Sequence, residues 1–225
     1  ALVGRRVALD PRGGGSDEQG RGPHGTRGSD LNLRLAERLA ALLRGVGCEV
    51  LLVRDDDLHT PDPARVQRAD DFAAGFYLAI ARGGPGVRHH PGSQIGQPLA
   101  DRCAASLANL LTAPVPVAAA HDYVLRHTAC PAVVVALETL DGPDTADRLA
   151  SPAWQDAVAR SLLRAVVGLL APDTPFVAPP DLLTALGPRA IALDRLDHLR
   201  LDGNLPWLPP AGHPSATAVP SWAGG

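Results

Sequence analysis

Among the side chains of types that bind a transition metal, His24, His89, His90 and Glu138 stand where a site could form. A catalytic zinc takes about three protein ligands and keeps one position open for water. The bound water then ionises near pH ~7, and a neighbouring base takes its proton. His24 lies in a glycine-rich stretch behind the first apolar segment. His89 and His90 follow the third, and Glu138 closes the apolar run Pro131–Leu137. Asp17, Glu18 and Asp141 stand on nearby loops. One reading is therefore a hydrolytic metal site made of His24, Glu138 and either His89 or His90. The plainer reading has His89 and His90 solvated on a loop. Glu138 is then a strand-end carboxylate that meets water or Arg126. His121 and His127 flank Tyr123 and read as locally hydrogen-bonded.

Other chemistries find less support. Gly13, Gly14 and Gly15 suggest a phosphate loop, but G-x-x-x-x-G-K-[ST] is absent, since the chain has no Lys. Ser16, Ser93 and Ser106 lack the setting of a hydrolase nucleophile. Asp55, Asp56 and Asp57 read as a solvated loop without calcium-loop spacing. The three cysteines, Cys48, Cys103 and Cys130, show no CxxC spacing, so a zinc cluster is not expected and small buried side chains are. All 21 basic residues are Arg, dispersed among 24 acids for a net charge of −3, which gives no case for a nucleic-acid partner. No apolar run approaches the ~20 residues of a membrane span. The absence of Met, even at position 1, fits an exported and processed chain as well as simple trimming.

These residues are carried by alternating strands and helices. Arg5–Asp10 reads as a first strand, followed by a loop from Pro11 to Gly28. Leu31, Leu35, Leu39 and Leu42 recur at helical spacing within Asp30–Leu43, with Ser29 or Asp30 as cap and Gly45 and Gly47 as stops. Cys48–Val53 is expected as a second strand, Pro63–Ala74 as a helix, Phe76–Ala81 as a third strand and Ile95–Leu111 as a helix. Tyr123–Leu125 reads as a short strand. Pro131–Leu137 reads as a strand buried on both faces, and Pro152–Leu170 as a closing helix. The expected fold is a three-layer α/β/α sandwich around a mainly parallel, twisted sheet of about five or six strands. Ligands of such sheets sit beyond the carboxyl ends of the strands. Residues 1–170 read as this α/β domain. Residues 171–225, with ten prolines, Trp207 and Trp222, read as a Pro-rich extension packing on the domain or on a partner chain.

Five blocks of the α/β region, in order, resemble the zinc-dependent N-acetylmuramoyl-L-alanine amidases, which cut peptidoglycan between muramic acid and the stem peptide. Asp10-Pro11-Arg12-Gly13-Gly14-Gly15 stands where family members have D-P-G-H-G-G. Gly22-Pro23-His24-Gly25 and then Gly28-Ser29-Asp30-Leu31-Asn32-Leu33 match G-P-x-G and E-K-D-x-N-L. Gly47–Val50 and Val53–Asp57 match G-x-x-V and T-R-x-x-D. Arg65–Asp70 and Tyr77–Gly83 match R-x-x-x-A-N and F-I-S-I-H-A-N. Val124–Arg126 and Pro131–Thr139 match V-L-R and P-A-V-L-V-E-L-G-F.

The resemblance implies zinc held by a His, a Glu and a second His, with a further Glu as general base. Those four positions are Gly13, Gly28, Ala81 and Ala136 here, and none has a donor atom. The expectation is therefore a member without zinc or catalysis, its four vestigial positions converging on one shallow pocket. Asp10, Arg12, His24, Arg126 and Glu138 are the candidate groove-lining residues, with a peptidoglycan stem peptide as one ligand and a protein complex in the cell envelope as the setting. The alternative is an active amidase with a relocated zinc site at His24, His89, His90 and Glu138.

Overall fold

The computed structural model describes residues 2–170. Expectations for 171–225 (the Pro-rich extension and its two tryptophans) lie outside the described residues.

The apolar alternation in the first segment forms β1 (Arg6–Pro11), which pairs in parallel with β2 (Glu49–Leu52) on one side and β3 (Phe76–Arg82) on the other. β6 (Ala132–Leu137) pairs in parallel with β3, and every residue of both strands is buried. That is why their sequences are nearly uninterrupted apolar runs. The six-stranded sheet has the order β2-β1-β3-β6-β4-β5.

β4 (Gly86–His89) and β5 (Val117–Ala119) complete the far edge and were not anticipated. β4 runs antiparallel to β6 while β5 runs parallel to β4. Only residues 83–85 separate β3 from β4, too few for a crossover, so the chain must reverse. Gly83 (φ 130°) and Gly84 (φ 109°) supply the left-handed backbone of that reversal.

Successive side chains along a strand face opposite layers. Ala8, Tyr77, Ala79, Ala81, Ala132 and Val134 form one core with Val66 and Ala69 of α2 (Asp62–Asp71) and Val124 and Leu125 of α4 (Tyr123–His127). The other face carries α1 (Gly28–Gly45), α3 (Gly96–Leu107) and α6 (Pro152–Leu170), with α6 touching both α1 and α3. The Leu31, Leu35, Leu39 and Leu42 stripe of α1 is buried here. A further helix, α5 (Pro143–Ala150), was not foreseen and packs on α6.

Two local expectations are corrected. Tyr123–Leu125 is helical, since a Val-Leu pair alone carries no period and Leu125 and Val124 bury against α2 and β6 from one turn of helix. Neither Ser29 nor Asp30 caps α1, which starts at Gly28 after Arg27 with no side-chain cap. Its first amides instead donate to carbonyls of the preceding loop: Gly28 N–H to Gly20 O (2.8 Å) and Ser29 N–H to Glu18 O (2.8 Å). Asp30 is left to pair with Arg27 at 2.8 Å.

Candidate functional site

The carboxyl ends of β1, β3 and β6 lie side by side, and the loop leaving β1 crosses them. Three backbone carbonyls at its start are each taken by a side chain. Arg54 Nε donates to Pro11 O at 3.0 Å, Asn32 Nδ2 to Arg12 O at 3.1 Å and Arg65 Nη2 to Gly13 O at 2.9 Å. Arg12 N–H continues the sheet by donating to Ile80 O at 2.8 Å. Carbonyls buried away from water must be paired, and these partners fix where the loop runs. Arg54 and Arg65 were legible as motif matches, but no role had been given to either.

Beneath the loop lies a buried charge cluster. Asp10 has no exposed surface. Its carboxylate accepts from Tyr77 Oη at 2.6 Å and Arg12 Nη1 at 3.3 Å, and it pairs with the equally buried Arg65. Arg12 also reaches Asp62 at 2.7 Å. Burial alone would weaken the Arg12 charge, but Asp10 and Asp62 overcome it and hold the guanidinium above its ordinary value. Burial and the Asp10 carboxylate together push the Tyr77 phenol well above its usual range. Asp10 and Arg12 are thus neighbours, as a groove would need, but both are committed to ion pairs.

The four glycine and alanine positions are connected through two residues the sequence reading overlooked, Gln19 and Arg82. Ala81 and Ala136 are register partners on β3 and β6. A Cβ on Gly28 would stand 2.1 Å from the carbonyl oxygen of Gln19 and 3.1 Å from Cγ of Arg82. A Cβ on Gly13 would stand 2.7 Å from Gln19 Cγ, from Asp17 O and from Ser29 Cβ. Gln19 itself is anchored on both ends of its carboxamide. Oε1 accepts from the Arg82 amide at 3.3 Å, and Nε2 donates to the two Asp17 oxygens at 3.0 and 3.1 Å.

Arg82 is buried beside Ala81, with Nε donating to Asn32 Oδ1 at 2.9 Å and Nη1 to Glu138 O at 3.4 Å. Desolvation lowers its pKa to about 10 in spite of Glu138. No local sequence pattern marks Gln19. Arg82 was visible as an Arg where the family pattern has Ala.

The expected relocated metal ligands do not come together. His24 is exposed on the turn closed by Gly25 N–H to Gly22 O (3.0 Å). His89 is not on a solvated loop: it ends β4 and is buried, opposite Val133. Because β4 runs back along β6, His89 lies about 16 Å from Glu138 along the strand, at ~3.3 Å per residue. His90 stands edge-on to His121, ring centroids 5.9 Å apart, and His127 stacks on Tyr123 at 4.2 Å.

Glu138 does not meet Arg126, which is exposed on α4. It binds Arg148 of α5 at 2.9 Å and accepts from the Thr112 amide at 2.8 Å and from the Thr112 hydroxyl. Burial would raise the Glu138 pKa, but Thr112 and Arg148 outweigh it and hold the carboxyl below its ordinary value. Asp55, Asp56 and Asp57 are exposed, as expected; Asp57 in addition receives Gly15 N–H at 3.2 Å and Arg27 at 2.5 Å, which ties it to the glycine loop.

Among the described residues, no three or more His, Cys, Asp or Glu side chains are placed to share a metal ion. The family's zinc does not fit the residues present. The four positions offer no donor atom, and at Gly13 and Gly28 even a Cβ would strike the Asp17–Gln19 segment.

The comparisons with known proteins point one way. The family model described as N-acetylmuramoyl-L-alanine amidase matches residues 7–167. The chain is similar to the N-acetylmuramoyl-L-alanine amidase AmiC2 of Nostoc punctiforme, with 25% identity and a TM-score of 0.67 over 74% of this chain and 97% of that one. At 20% identity it shares the fold of the catalytic domain of CwlV, an amidase of Bacillus (Paenibacillus) polymyxa var. colistinus, with a TM-score of 0.67 over 74% of this chain and 98% of that one. At 17% identity it shares the fold of the CwlD amidase of Clostridioides difficile, solved in complex with the GerS lipoprotein, with a TM-score of 0.64 over 75% and 100% of the two chains. A search of curated proteins returned no match. With the motif blocks in order, the sheet topology and a family match across most of the chain, this protein belongs to the N-acetylmuramoyl-L-alanine amidase family.

Proposed function

We propose that this chain is a non-catalytic member of the amidase family, acting in the cell envelope as a binding, scaffolding or regulatory subunit. The observation that carries the reading is the floor of the site. Where the family's chemistry needs three ligands and a base, this chain has Gly13, Gly28, Ala81 and Ala136, and Gln19 packs into the space in front of the two glycines. Amide hydrolysis by this family's route needs a metal to activate water and a base to take its proton. Glu138 does not substitute as the base, because Thr112 and Arg148 occupy its oxygens and lower its affinity for a proton.

The framework around the emptied site is kept. Arg54, Asn32 and Arg65 still hold the first loop against the sheet. A groove able to receive the peptidoglycan stem peptide is accordingly part of the proposal; of the residues named for it, Asp10 and Glu138 are buried in ion pairs, which leaves the half-buried Arg12 and the exposed His24 and Arg126 as candidates. A protein partner engaged through residues 171–225 is the other part. The CwlD amidase, which shares the fold, was solved with a lipoprotein, and a partner of that kind suits a chain retained without chemistry.

The test incubates the full chain with purified sacculi, with and without added zinc. The expected result is co-sedimentation with sacculi and no release of stem peptide in either condition. Peptide release that a chelator abolishes would overturn the proposal.

A further inference from the structure

The loss of ligand atoms alone would leave an open hollow at the ends of β1 and β3. At Gly13 and Gly28 the space is taken by the Asp17–Gln19 segment. We propose that Gln19 is a built-in plug: it closes the vestigial metal site from within, so that the site is filled rather than vacant. The inference rests on the non-catalytic reading and deepens it.

Two contacts of different kinds define the plug. The first is backbone. A Cβ at Gly28 would lie 2.1 Å from the Gln19 carbonyl oxygen, an atom that cannot swing aside as a side-chain tip would. The second is side chain: Gln19 Cγ lies 2.7 Å from where a Gly13 Cβ would be. Gln19 is thus one of the groups that hold positions 13 and 28 to glycine: its carbonyl at Gly28, and its Cγ together with Asp17 O and Ser29 Cβ at Gly13, where a φ of 94° also favours glycine.

The backbone of Gln19 is also strained in a way its side chain explains. Its φ of 53° is left-handed, a conformation uncommon for a residue other than glycine, and its neighbour Gly20 would have no such penalty (φ 89°). Its carboxamide spans Arg82 N–H on one side and Asp17 on the other, so both polar ends are used within the chain. The segment is sewn to the start of α1 by Gly28 N–H to Gly20 O and Ser29 N–H to Glu18 O. It is thus tied into the framework through its backbone.

The experiment uses the full chain and three readouts. Zinc content of the unmodified protein comes first, and stoichiometric zinc would overturn the non-catalytic reading itself. The second is a double-mutant cycle in urea between Gly13→Ala and Gln19→Gly. The plug predicts that Gly13→Ala lowers the folding constant at least threefold more in the parent than in the Q19G background, because the Gln19 Cγ contact is removed there while the Asp17 O and Ser29 Cβ contacts are common to both backgrounds and cancel. Equal effects in both backgrounds overturn the plug and leave the zinc reading standing. The third readout holds even where Gly13→Ala does not fold. Gln19→Gly alone should speed exchange of the Arg82 amide at least tenfold, with the Leu78 and Ile80 amides of the same strand unchanged. An Arg82 amide indifferent to Gln19→Gly overturns the plug.

Discussion

Removing Asp10 should be among the most damaging single changes in the described domain, and the structure says by how much. Its carboxylate is fully buried and faces Arg65, which is 2% exposed. Arg65 keeps three carbonyl partners without it, Thr60 O at 2.7 Å, Gly13 O at 2.9 Å and Pro11 O at 3.5 Å. The one carboxylate then left near it is Asp62 at 3.9 Å, which is partly exposed and already paired with Arg12. Breaking such a pair from one side costs about 3–5 kcal/mol, because the surviving charge is left uncompensated. The loss of the Tyr77 hydrogen bond falls within that range and is not added to it. For a chain of this size the cost corresponds to a melting temperature lower by roughly 6–20 °C, at ~2–4 °C per kcal/mol. The decisive comparison is Asp10→Ala against the joint replacement Asp10→Leu with Arg65→Met. Replacing both partners removes two desolvated charges together, so the double variant should be more stable than the single one. Urea unfolding followed by far-UV dichroism measures both. A cost under about 1 kcal/mol for Asp10→Ala, or a double variant worse than the single, would refute the reasoning.

Three further outcomes are expected. Burial raises the thiols of Cys48 and Cys130 to about 11 and that of Cys103 to about 12. All three should react slowly with a disulfide reagent at pH ~8, where the thiolate is the nucleophile, and fast stoichiometric labelling in the native state would contradict this. Glu138 has a folded pKa below its ordinary 4.5, so it binds its proton more weakly folded than unfolded. Its stabilisation is full above that value and is lost as pH falls through the folded one. Glu138→Gln should therefore flatten the fall of the urea midpoint on acidification below pH ~4.5, and an unchanged slope would count against the ion pair with Arg148. Tyr77→Phe removes a 2.6 Å bond to an ionised acceptor and should cost about 1.5–3 kcal/mol by the same urea assay; no measurable loss would show the hydroxyl to be a bystander.

Much of this fold is written locally. The leucine stripe of α1 and the unbroken apolar run of β6 state their period and burial directly, and the family's motif blocks fall on the loops that the ends of β1, β3 and β6 carry. β4 and β5 escaped because short, half-polar segments such as Gly86–His89 carry no distinct period, and their pairing is decided by β6, more than forty residues further on. That omission also misplaced His89 and His90, which an antiparallel β4 carries to the opposite end of the sheet from Glu138. The partner of Glu138 was missed for a related reason: Arg148 lies on α5, a helix with only two buried residues to announce it. Within the site, the absent donor atoms at Gly13, Gly28, Ala81 and Ala136 could be read residue by residue. That Gln19 fills the space could not, since its place follows from a loop folding back on α1 through backbone hydrogen bonds.

The central claim is that the site holds no catalytic metal, and elemental analysis of the purified full chain tests it most directly. After mild dialysis, and again after incubation with zinc and removal of the excess, the account predicts zinc well below one equivalent in both samples. Near-stoichiometric zinc that survives dialysis would contradict it and return His24, His89, His90 and Glu138 to consideration as ligands.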